Sequence, residues 1–140
     1  MNAPLYTTDV LRLAAALQGV RDLERVDGEG ELRSPTCGSR IKLAVQLDSE
    51  RRVQAISQEV HACAFGQASA ALMETKAFGL SHADATNALV LLSRWLGQEH
   101  DDVSDWPGLE ALAPARDRQA RHGAILLPWR TLIAAMENCR

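Results

Sequence analysis

Hydrophobic and polar positions alternate most clearly at 41–48. Ile41, Leu43, Val45 and Leu47 interleave with Lys42, Ala44, Gln46 and Asp48, which predicts a strand with one buried and one wet face. Asp48 to Arg51 forms a polar turn, and Val53 to His61 is strand-like with looser alternation. The two make an antiparallel hairpin. A further short strand is expected before Cys37, within or after the charged stretch Arg21–Glu31, which holds Gly28 and Gly30. Elsewhere the period is helical. Thr8 can cap a first helix carrying Val10, Leu13, Ala14 and Leu17, with Gly19 as its stop. Phe65 to Phe78 is rich in Ala, Leu and Met and ends at Gly79. Ser81, with Asp84 three residues on, opens a helix whose apolar face runs through Ala85, Ala88, Leu89, Leu92 and Leu96 to Gly97. Gln98 to Pro114 is acidic and irregular, pinned by Trp106 and Leu109, and Ala115 to Arg121 can be helical. Pro128 suits the first turn of a last helix with the stripe Trp129, Leu132, Ile133 and Met136. The fold class is α+β: an N-terminal helix, a three-stranded antiparallel sheet, then packed helices.

Composition narrows the function. The chain has 140 residues, 46% of them hydrophobic and 24% charged, enough for one cored domain spanning 1–140 and too apolar for disorder. A net charge of -3 argues against a basic nucleic-acid binder. No run reaches membrane-helix length, and no secretory leader is visible, so a cytoplasmic protein is expected. Three cysteines, Cys37, Cys63 and Cys139, make a poor disulfide framework.

Two of these cysteines sit where chemistry is favoured. Cys37 lies in the turn Ser34-Pro35-Thr36-Cys37-Gly38-Ser39, and Cys63 where a strand gives way to a helix. The hairpin register brings both to one end of the sheet. A helix N-terminus favours a thiolate, so Cys63 is expected to be the more nucleophilic; Cys139 lies at the far end of the last helix. Paired thiols can bind a soft metal or an iron–sulfur unit.

Ser-Pro-Thr-Cys-Gly-Ser around Cys37 resembles the Asn-Pro-x-Cys-Gly-Asp signature of the NifU/IscU/SufU iron–sulfur scaffold proteins. Ala62-Cys63 followed by Ala68-Ser69-Ala70-Ala71 resembles that family's second cysteine motif, and Arg121 to Trp129 resembles the Arg-x-x-Cys-x-x-Leu-x-Trp motif of its SufU branch. The resemblance implies an IscU/NifU-type fold and a site of three cysteines and an aspartate around zinc or a nascent cluster. It also implies a cysteine desulfurase as sulfur donor and apo iron–sulfur proteins or carriers as recipients, in a protein that binds and transfers rather than acting as an enzyme. Cys37 and Cys63 match the first two cysteines, as metal ligands and sulfur acceptors. Ser39 stands at the aspartate position and Ala124 at the third cysteine. His61 and His122 are further candidate ligands that would complete a Cys2His2 set. Two alternatives stay open: a cluster-free family member acting as an interaction or regulatory partner, and a thiol enzyme using Cys63.

Overall fold

Strand β2 (Arg40–Leu47) is the centre of the sheet, because Ile41, Leu43, Val45 and Leu47 all turn the same way and are buried. It pairs antiparallel with β1 (Gly28–Arg33) and β3 (Val53–His61), in the order β1-β2-β3. Helix α1 (Thr8–Ala15) precedes the sheet. Helices α2 (Ala64–Lys76) and α3 (His82–Leu96), a 3-10 helix (Leu109–Ala115) and α4 (Gln119–Glu137) follow it. This computed structural model describes residues 6–35 and 38–139. Helix α4 lies on the inner face of the sheet, with α2 and α3 packed against it and α1 against α2. No helix among the described residues is long and apolar enough to cross a membrane.

The hairpin, the Asp48–Arg51 turn and the capped α3 follow the sequence pattern. At the start of α3, Ser81 Oγ accepts from Asp84 N while the Asp84 carboxylate accepts from Ser81 N, both at 3.1 Å. Other expectations are corrected. The cap of α1 is Thr7, not Thr8: Thr7 Oγ1 accepts from Val10 N at 3.3 Å. The helix also stops at Ala15, before Gly19, because the Glu74 carboxylate takes the Gln18 and Gly19 N–H groups at 2.9 and 3.1 Å and draws the chain towards α2. Gln46 was expected on a wet face but is only 4% exposed. The segment after α1 crosses that face, and Glu24 N donates to Gln46 Oε1. Inside β3 the alternation blurs because Gln58 is buried, donating to Ala70 O and to Glu74.

Pro128 does not open a helix; it lies in the middle of α4. Its missing N–H leaves the Ala124 carbonyl without a helical donor. One turn of α2 passes close to this point: Ser69 Oγ donates to Ile125 O at 2.6 Å, and a Cβ on Gly66 would sit 3.4 Å from Ala124 O. Packing on both sides outweighs the proline's preference for a helix start. The expected helix over Ala115–Arg121 is broken: Ala115 ends the 3-10 helix, residues 116–118 form a turn, and Gln119 opens α4.

Two glycines of β1 let α4 approach the sheet. A Cβ on Gly28 would collide with the Ala135 carbonyl, and one on Gly30 would lie 2.9 Å from Ala135 N. Gly28→Ala should therefore destabilise the protein by about 1–3 kcal/mol, the usual range for overpacking. Gly97→Ala, whose new methyl meets nothing nearer than 3.4 Å, should change stability little; urea unfolding of both variants checks this. The Asp84 carboxyl is held below its ordinary value of 3.8, first by the Ser81 N–H, then by the Ser81 hydroxyl and Arg52. A lowered folded-state pKa stabilises above the unfolded value and loses that effect as pH falls through the folded one. The stability gap between wild type and Asp84→Asn should thus be full at neutral pH and close in acid below 3.8, as read from thermal unfolding at a series of pH values.

Candidate functional site

Arg40, at the start of β2, pairs with His61, at the end of β3. The β1–β2 connection and the β3–α2 connection therefore meet at one end of the sheet. The first is closed by backbone bonds from Ser34 N to Ser39 O at 2.8 Å and from Gly38 N to Ser34 O at 2.9 Å, with Gly38 left-handed at φ 72. The second carries Cys63 as the N-cap of α2, extended at φ -67 and ψ 173 and making no side-chain cap bond. Beyond it the first-turn N–H groups have no helical acceptor. Phe65, fully buried and 5.2 Å from the Tyr6 ring, fixes this first turn.

Between the connections lies an open cleft of about 450 Å³, with Gly38 and Ser39 on one wall and His61, Cys63 and Gln67 on the other. Cys63 is half-buried there. Cys37 lies outside the described residues, and so does the expectation that its thiol approaches Cys63. Helix α4 packs against both connections. Gly123 faces Ser34, whose Oγ would be 2.5 Å from a Cβ at that glycine; Ala124, fully buried, faces Gly66, three residues after Cys63. The Ser39 and Ala124 positions thus each border one of the connections.

The two candidate histidines are placed differently, His61 on the cleft wall and His122 outside its lining. His122 Nε2 donates to the carbonyls of Ala115 and Arg116 at 2.9 and 3.1 Å, tying off the 3-10 helix. His61 is exposed and 3.0 Å from Glu59, and the Glu59 carboxyl is held below its ordinary value first by that hydrogen bond and then by the charges of His61, Arg40 and Lys42. Cys139 belongs to the other end of the sheet, where it bridges to Gly28. Gln67, which the sequence reading passed over, lines the cleft and donates from Nε2 to Ala62 O at 3.0 Å; its i+4 spacing from Cys63 was the available signal.

A structural zinc ion takes about four ligands. Among the described residues, no three of His, Cys, Asp or Glu come together. The side chain facing Gly66 is a methyl, and that at 39 a neutral hydroxyl. His122 does not line the cleft; its Nε2 donates to two carbonyls at the end of the 3-10 helix. Among the described residues, the donors present do not make a closed four-ligand zinc centre. What the geometry presents is a thiol at a helix start, bordering solvent, with room beside it.

Residues 5–104 match the family described as NifU-like N terminal domain. The chain is 31% identical over 103 residues to the zinc-dependent sulfurtransferase SufU of Bacillus subtilis (strain 168), spanning 73% of this chain and 69% of that protein. Its fold superposes on the crystal structure of a nitrogen-fixing NifU-like protein (N-terminal) from Brucella abortus with a TM-score of 0.84 at 24% identity, covering 96% and 93% of the two chains. A structure from Fervidobacterium islandicum AW-1, described as a candidate iron–sulfur cluster assembly scaffold for the SUF system, gives 0.81 at 20% identity, covering 94% and 96%. The extent of the family match and the SufU likeness together place the chain: it belongs to the NifU-like N-terminal domain family.

Proposed function

We propose that this protein serves iron–sulfur cluster assembly as a scaffold-type acceptor of sulfur. A cysteine desulfurase supplies the sulfur, and apo iron–sulfur proteins or carriers receive the product. The observation that carries this reading is Cys63, half-buried at the N-cap of α2 and lining an open cleft. There its sulfur borders the first-turn N–H groups that lack a helical acceptor. In the transfer, the Cys63 thiolate attacks the outer sulfur of a protonated persulfide on the donor enzyme. A new S–S bond forms at Cys63, the donor's S–S bond breaks, and the donor cysteine leaves as thiolate. No electron is gained or lost overall.

Cys37 is the second acceptor and cluster ligand in this scheme, matched by its motif, and iron is a substrate rather than a resident cofactor. The SufU relative is named a sulfurtransferase, which suits transfer through a thiol. A cluster-free interaction partner is the second reading, favoured by the methyl at Ala124 and the hydroxyl at Ser39.

Two experiments decide between them. Incubated anaerobically with a cysteine desulfurase and cysteine, the protein should gain one sulfur on the Cys63 peptide by mass mapping. Cys63→Ser should abolish that gain, and an unmodified wild type would exclude sulfur acceptance. Ser39→Asp with Ala124→Cys should tighten zinc binding, measured by competition with a chromogenic chelator. Two added ligands should exceed the roughly 10–100-fold effect of outer-shell changes at metal sites; unchanged affinity would remove Ala124 from the site.

A further inference from the structure

The outer face of the sheet carries its charges in rows. Register sets Arg33 opposite Arg40 and Arg40 opposite His61, in the row at the cleft end. The next row is Glu31, Lys42 and Glu59. Arg33 and His61 are exposed and Arg40 is half-buried.

Like charges directly opposite each other on neighbouring strands are destabilising. The acidic row beyond relieves this opposition only in part, since the Arg40 charge helps hold the Glu59 carboxyl below its ordinary value. Among the described residues, neither Arg33 nor Arg40 takes part in a salt bridge, and the nearby Glu59 is paired with His61. Towards the other end, the same face is covered: Arg21 N donates to Ser57 Oγ at 2.9 Å and Glu24 N to Gln46 Oε1 at 3.0 Å. The part left open is therefore the cationic end, continuous with the cleft wall at His61. On a chain of net charge -3, this is a local positive field beside the thiol, and such fields steer oppositely charged partners.

We propose that the row Arg33–Arg40–His61 docks a carboxylate-bearing surface of the sulfur-donating desulfurase, setting its persulfide against Cys63. The proposal rests on the sulfur-accepting reading above and adds the surface through which the donor is recognised. The chemistry fits the placement. Transfer brings an attacking thiolate up to a sulfur that is itself readily ionised, and two guanidinium groups at the margin offset the gathering negative charge.

The test uses the whole protein and the cysteine desulfurase of the same organism, with association followed by biolayer interferometry from low to high salt. Arg33→Glu with Arg40→Glu should slow association by about tenfold or more, within the range attributed to steering, and should flatten its salt dependence. Arg33→Gln with Arg40→Gln should give a smaller change in the same direction, and it carries the test should the charge reversal unfold the protein, as judged by circular dichroism. Arg94→Glu on exposed α3, whose charge change equals that of the double glutamine variant and is half that of the double reversal, should leave association near wild type. Association and salt dependence unchanged in the folded double variants would overturn the docking surface alone, provided wild type still binds and takes up sulfur. A slowing of the same size in Arg94→Glu would also overturn it, since net charge would then explain the effect. A wild type that neither binds nor takes up sulfur would overturn the sulfur-accepting reading and the docking surface with it.

Discussion

From Ala124 to Trp129, every residue of helix α4 is buried. A helix with no wet side must find a partner in each direction, and the rest of the chain supplies them. On the sheet side, Gly28 and Gly30 give up their side chains so that the Ala135 backbone can reach β1. Against α2, Gly66 does the same, and the short Ser69 side chain serves the Ile125 carbonyl near the proline break. Trp106, from the acidic segment, meets Trp129 edge to face at 5.4 Å. The small residues are the condition for this arrangement, since backbones can approach only where no Cβ stands between them.

The same contacts set the candidate site. Gly123 bears on the connection before Cys37, and Ala124 on the first turn after Cys63. Both connections are therefore referenced to one rigid helix, although they lie far apart in sequence. The chemistry follows from that frame: a thiol held at a helix start, a neutral wall at Ser39 and a methyl behind it. The outer sheet face then contributes charge where the helices cannot, because its free rows end at the cleft.

Elements set by local pattern could be read without the structure. Ile41 to Leu47 announced a half-buried strand, and Ser81 with Asp84 announced a helix start. Both signals lie within a few residues. Features decided by distant partners escaped. Gln46 is covered by Glu24, more than twenty residues earlier, and α1 is cut short by Glu74 on another helix. Pro128 misled because its local preference for a first turn was outweighed by burial on both sides of α4. At the site, Cys63 was legible from its position between a strand and a helix. The Arg33–Arg40 opposition was not, since it depends on register between strands rather than on either strand alone.

Cys139 adds a consequence of topology. It bridges to Gly28, opposite Val45, whereas Cys63 follows His61, opposite Arg40. At about 3.4 Å per strand residue, the two ends of that span are on the order of 17 Å apart. A sulfane sulfur carried on Cys63, as the proposed function has it, would therefore be beyond the reach of the Cys139 thiol in the same molecule. Cys139 can expel it as sulfide, closing a disulfide, only by collision between two copies. Loss by that route would be second order in protein, so dilution would lengthen the lifetime of such a loaded state, and crowding would shorten it.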